Sequence, residues 1–225
     1  MAETFWSSLD FGVVWRFRDA LLMGLGFTLF LAGSGLLGGT ILGGLFAVFA
    51  SSRFRIIRWP IRALVEFLRA TPLLMQAIWV HFALPLLLGF TLTPTVSAIL
   101  ALTFNVGAYT SEIFRAGIAA IDKGQVEAAR ALALPTRLVW TKIILPQALR
   151  LIVPPLTSSA ISTVKASTIL SILAINDLMR VAMRINGFTY RPVELYTAAA
   201  LLFFLVGFAI SRLGLFVEKR LERPA

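Results

Sequence analysis

The stretch VEAARALALPTRLVWTKIILPQALR, residues 126–150, interrupts a chain made mostly of long apolar runs. It carries Glu127, Arg130, Arg137, Lys142 and Arg150, and prolines at 135 and 146. Its leucines, isoleucines and valines recur at helical spacing and not as one apolar block. Asp122 followed three residues later by Gln125 reads as a capping-box start, which predicts a short helix over residues 125–134 ended by Pro135. A second helical piece, burying Leu138, Ile143 and Ile144, is expected to run to Pro146. With its flanks the insertion covers residues 119–150, well beyond the ~2–8 residues usual between two helices. A folded helical element of this size in a membrane chain is expected to be a docking surface for a cytoplasmic partner.

Composition sets the rest of the frame. Of 225 residues 58% are hydrophobic and 14% charged, and the mean hydropathy is +0.86. Soluble domains carry nearer a quarter charged residues. The chain therefore reads as an all-α integral membrane protein. About five transmembrane helices are expected, over roughly 20–50, 63–89, 94–118, 151–176 and 194–216, because ~20 apolar residues span a bilayer. Residues 1–19 are too long and mixed in charge for a cleavable signal, and are expected to be an external segment. Residues 217–225 are expected to be a cytoplasmic tail, closing a permease domain of 20–216. Fourteen Lys and Arg fall in the first and third connections and the tail, against five on the other side. This asymmetry predicts an external amino terminus and a cytoplasmic carboxyl terminus, so the net charge of +10 implies orientation and not nucleic acid. With no cysteine and one histidine, His81, the chain has no basis for thiolate chemistry or a His-rich metal site. His81 is expected to be a hydrogen-bonded packing residue.

In the first span, Gly35, Gly39 and Gly43 recur every four residues, which predicts close helix–helix approach in lipid. Pro72 breaks the second span near Thr71, and freed carbonyls at depth need protein or a wet cavity. Thr71 and Gln76 are therefore candidate pathway residues, with Asn105 and Tyr109 four apart in the third span. Glu66 with Arg69, and Glu112 with Arg115, are spaced for ion pairs within a helix, and Glu66, Arg69 and Glu112 complete that candidate set. Lys165 falls near the middle of the fourth span, where an ammonium costs roughly 2.5–3.5 kcal/mol unless it faces water or a partner. It is the main candidate for a substrate contact, with Ser162 and Ser167 as neighbouring hydroxyl donors. Asp177, Arg180, Arg184 and Arg191 are expected on an external connection, 177–193.

Glu127-Ala128-Ala129, then Ile143 and Leu145-Pro146, resembles the EAA loop of ABC importer permeases. The runs GLGFTLFLAGSG, EFLRATPLLMQAIWV, NVGAYTSEIFRAGIAAIDKGQVEAARALAL and IILPQALRLIVPPL narrow the resemblance to the polar amino acid permease family, over about residues 20–216. The resemblance implies a MetI-like fold with a cytoplasmic coupling helix, formed by Glu127, Ala128, Ala129, Ala133, Ile143, Leu145 and Pro146. It also implies a plasma (inner) membrane complex of two permease subunits, identical or different, with two ATPase subunits. An external solute-binding protein would deliver an amino acid. No G-x-x-x-x-G-K-[ST] run is present, so ATP and Mg are expected on the partner ATPase, with no cofactor here. Two departures stand out. Ala133 occupies a position where the family has Gly, so the bend there is expected from Pro135. Ala166 follows Lys165 where relatives carry an acid. A secondary transporter driven by an ion gradient is the alternative, but it needs carboxylates in mid-span, and none is present. A membrane-embedded enzyme would need a cluster of acid–base residues, which the sequence also lacks.

Overall fold

The structure, a computed structural model, describes residues 9–222. All regular elements among them are helical: α1 Gly12–Arg16, α2 Arg18–Ala50, α3 Arg55–Ala70, α4 Leu73–Leu88, α5 Pro94–Ala119, α6 Lys123–Ala131, α7 Thr136–Leu173, α8 Leu178–Thr189 and α9 Pro192–Glu222. Residues 1–8 of the expected external segment and 223–225 of the expected tail, with Arg223, lie outside the described residues.

Among the described residues three helices, α2, α7 and α9, are long and apolar enough to cross a bilayer alone; α3 and α4, counted as one bent span, make a fourth. The expected second span is thus not one rod. It starts eight residues earlier, at Arg55, and is broken between Ala70 and Leu73. Pro72 supplies no backbone N–H, and Thr71 closes α3 by donating both its N–H (3.0 Å) and its hydroxyl (2.7 Å) to the Phe67 carbonyl. The expected third span is α5, 26 residues long, enough for about 39 Å at 1.5 Å per residue. Asn105, Thr110, Ser111, Glu112 and Arg115 leave it less apolar than the others. The last helix runs on through residues 217–222, so the described part of the expected tail is helical.

The connection expected over 177–193 is also corrected. It folds as α8, with Leu178, Val181, Ala182 and Ile185 buried at i, i+3, i+4 and i+7. That period was present in the sequence, but Gly187, Pro192 and the arginines read as turn and loop signals. Gly187 sits inside the helix, which ends instead at Tyr190, in a left-handed conformation with φ 55°.

The chain divides into two compact units. One holds the residues up to Gly35, Leu73–Leu102 and Thr163–Phe208. Its first cluster packs Val13, Leu21, α8 and Leu195; its second packs Leu31, Ala77, Ala98, Leu102 and Leu170. Gly24 admits the α8 backbone: a Cβ there would lie 3.0 Å from the Leu178 Cα. Thr28, fully buried, accepts the Leu178 N–H at 3.0 Å and donates to the Gly24 carbonyl at 3.0 Å. Asp177 caps α8, its Oδ1 accepting from the Arg180 N–H (3.1 Å) and the Ser171 hydroxyl (2.8 Å). Burial raises its pKa, against the lowering effect of those hydrogen bonds. Asp177 is therefore a buried cap and not part of a solvated loop. His81 lies in the π turn Trp79–Ala83 and shares a 2.9 Å hydrogen bond between Nδ1 and the buried Ser97 hydroxyl. It is a partnered packing residue, as expected.

The other unit holds Leu36–Pro72, Thr103–Ser162 and the residues from Ala209. Here the glycine seam of α2 meets α5. A Cβ on Gly39 would lie 2.6 Å from Val106 Cβ, and one on Gly43 would lie 2.8 Å from the Gly107 carbonyl oxygen. Phe46, Val65, Leu68 and Ala108 fill the space beside the seam.

Candidate functional site

The segment 119–150 folds as an element with its own core. Asp122 caps α6 by accepting the Gly124 N–H at 2.7 Å. The expected reciprocal half of the capping box is not made: the Gln125 Oε1 accepts instead from Gln147 Nε2 at 2.6 Å, which ties α6 to α7. Ala129 is only 2% exposed, packed with Ile121, Val139, Ile144, Ala148 and Ile152. Glu127 and Ala128 are exposed on α6, and so are Leu132, Leu138, Trp140 and Leu145 beyond it. Ile143 is half-buried and Pro146 exposed. A cavity of about 360 Å³ opens between Ile118, Ile121, Val126, Glu127, Arg130 and Trp140. Of the seven coupling candidates, Ala129 thus holds the element together while Glu127 and Ala128 face outward.

Two local expectations are corrected. The helix stops at Ala131, and the bend is made by Ala133 itself, with φ 49°. The Ala133 N–H donates to the Arg130 carbonyl (2.9 Å) and the Leu134 N–H to the Ala129 carbonyl (3.1 Å). This is the Schellman end, which favours glycine because a Cβ crowds the left-handed backbone. Pro135 follows the stop and does not cause it. Nor does Pro146 end the second piece. A π turn, Val139–Ile144, opens the hydrogen-bond ladder just before the proline, and α7 continues through it. A left-handed L-residue costs about 1–2 kcal/mol. Ala133→Gly is therefore expected to stabilise the element by about 1 kcal/mol, measured as slower amide exchange over residues 129–134. Ala133→Val should do the opposite.

The pathway candidates separate. In one unit, Glu66 pairs with Arg69 at 3.2 Å and Glu112 with Arg115 at 2.6 Å. The Tyr109 hydroxyl donates to the Arg69 carbonyl at 3.3 Å, and its ring lies 5.8 Å from the Arg69 guanidinium. The two ion pairs line a cavity of about 440 Å³ with Ala50, Arg62 and Val65. Arg62 was missed as a site residue although 62, 66 and 69 follow the i, i+4, i+7 rule for one helix face. Its Nε donates to the Ala50 carbonyl at 3.1 Å. Thr71 and Asn105 are half-buried in this unit, and Ser162 is exposed.

In the other unit Lys165 is exposed on α7, and no carboxylate of the described residues is ion-paired with it. Ser167 is fully buried and donates to the Val164 carbonyl at 2.8 Å. Its hydroxyl is committed to its own helix and does not serve as the expected donor. Gln76 is buried in α4.

Residues 39–223 match the family described as binding-protein-dependent transport system inner membrane component. The chain belongs to that family. It is 36% identical to the arginine transport system permease protein ArtQ of Bacillus subtilis, over 96% of this chain and 98% of that one. It is 38% identical to the putative glutamine transport system permease protein GlnP of Rickettsia bellii, over 81% and 84%. A crystal structure of an amino acid ABC transporter with histidines superposes with a TM-score of 0.89 at 32% identity, covering 95% and 99% of the chains. An inward-facing MetNI methionine ABC transporter structure, at TM-score 0.77 and 20% identity, shares the fold. This family member is a multi-pass inner membrane transport subunit and not an enzyme. Its partners are those of an ABC importer, an ATPase and a solute-binding protein.

Proposed function

We propose that this permease subunit pairs with a second copy or a related chain to pass a polar amino acid from an external binding protein into the cytoplasm. The motion is driven by two ATPase subunits that carry ATP and Mg. The observation that supports this best is α6, anchored from within by Ala129 while Glu127 and Ala128 face outward. An element braced on its own core can transmit a push without collapsing. The amino terminus is external and the carboxyl terminus cytoplasmic, in keeping with the distribution of Lys and Arg.

Lys165 is the residue on which substrate charge turns. It is exposed on α7, followed by Ala166, so the local field is positive. The relatives are named for arginine and glutamine transport, so family membership leaves the charge class open. The permease favours neutral or acidic amino acids over cationic ones unless its partner subunit supplies carboxylates. Uptake into vesicles holding the assembled transporter tests this. A hydrogen bond to a charged group contributes about 1.5–3 kcal/mol. Lys165→Met should accordingly lower uptake of a neutral or acidic amino acid at sub-saturating concentration by about tenfold or more. Lysine or arginine as best substrate, with uptake unchanged in Lys165→Met, would refute the assignment.

A further inference from the structure

The start of α3 presents a surface that neither the coupling element nor the pathway uses. Residues 53–59 read RFRIIRW, and no Asp or Glu occurs from residue 20 to residue 65. The segment begins three residues after α2 ends at Ala50, so it lies where a 33-residue apolar helix leaves the hydrocarbon. On α3 the buried side is taken by Ile61, Val65 and Leu68, which pack against Phe46 and Ala108. Arg62 is turned to the Ala50 carbonyl. What remains outward is Ile56 at 85% exposure and Trp59 at 67%, beside exposed Arg53 and Arg55 and half-exposed Arg58. Arg53 stacks over the Phe54 ring at 4.7 Å, and no ion pair among the described residues engages Arg53, Arg55 or Arg58.

Basic side chains alternating with exposed aromatic and aliphatic ones match a bilayer interface, where the apolar groups enter the acyl boundary and the cations meet headgroups. An acidic protein surface would match the arginines but leave Ile56 and Trp59 in water. We propose that residues 53–59 bind anionic phospholipid headgroups in the leaflet where α2 ends, through Arg53, Arg55 and Arg58. The site holds the start of α3 at the membrane surface. It selects lipid by charge, since phosphatidylcholine offers the same apolar boundary but no net negative charge.

The absence of native cysteine allows a direct test on the complete transporter. Ile56→Cys carries a fluorophore, and the complex is reconstituted in vesicles with brominated phosphatidylglycerol or brominated phosphatidylcholine at equal mole fraction. Each arginine near a charged surface contributes about a fivefold preference. Phosphatidylglycerol should therefore associate at least about tenfold more strongly in quenching. The preference should shrink as salt rises from about 0.1 M to 1 M and the screening length falls from about 10 Å to 3 Å. It should also vanish when Arg53→Gln, Arg55→Gln and Arg58→Gln are combined. Equal quenching by the two lipids overturns the proposal, as does a preference insensitive to salt. Absence of quenching by either lipid means that protein covers the patch, which overturns it too. The salt series on the parent protein keeps the test decisive even if the triple variant fails to insert. Amino acid uptake enters none of these readouts.

Discussion

Ala129→Asp is expected to unfold the coupling element and not merely to weaken its docking. The side chain is 2% exposed among Ile121, Val139, Ile144, Ala148 and Ile152, so a carboxylate there finds apolar neighbours on every side. The effective penalty for a buried, unpaired ion is several kcal/mol after relaxation. That exceeds what a helix of nine residues, closed by one cap and one Schellman turn, can supply locally. Protease sites over residues 123–134 should open, the ATPase should fail to co-purify, and transport should be lost while the chain still inserts. Glu127→Ala, on the exposed face, should weaken ATPase retention with the element still protease-resistant. A protease-resistant Ala129→Asp chain that retains its ATPase would contradict the packing argument.

Gly43→Val should have the other large effect. Its Cβ would fall 2.8 Å from the Gly107 carbonyl oxygen, 2.8 Å from Thr110 Cβ and 3.0 Å from the Ser111 amide nitrogen. Two of those atoms are backbone, so relief requires α2 and α5 to part, not a rotamer change. Overpacking of this kind costs about 1–3 kcal/mol and more when backbone must move. Gly33 is the internal control, because a Cβ there meets nothing within 4 Å. Gly33→Ala should be neutral or add up to about 1 kcal/mol from helix propensity. Survival of the folded chain through heating in detergent, followed by size-exclusion chromatography, separates the two. Equal survival would show that the seam is not tight.

Whatever depends on short range and composition was legible in the residues alone. The apolar runs required a membrane, the period within 126–150 required a folded insertion, and the motif order carried the family. Glycines at 35, 39 and 43 announced a close approach because small residues leave one face of a helix without side chains. Even the arginine at 62 was legible in principle, by its i, i+4, i+7 line with Glu66 and Arg69. Features that involve a second segment are visible only in the folded chain. Ala133 takes the left-handed conformation despite its Cβ, where α6 must turn for Ala129 and Leu134 to reach a core built from α5 and α7. Asp177 reads as a loop carboxylate until Ser171 and α8 enclose it. Pro146 reads as a helix stop until a π turn accommodates it. Local propensities differ by about 1 kcal/mol or less for most residues, by about 1–2 kcal/mol for a left-handed alanine and by about 3 kcal/mol for a proline within a helix. Burial of each apolar side chain is worth about 1.5–3 kcal/mol, so where several are buried together the packing partner prevails.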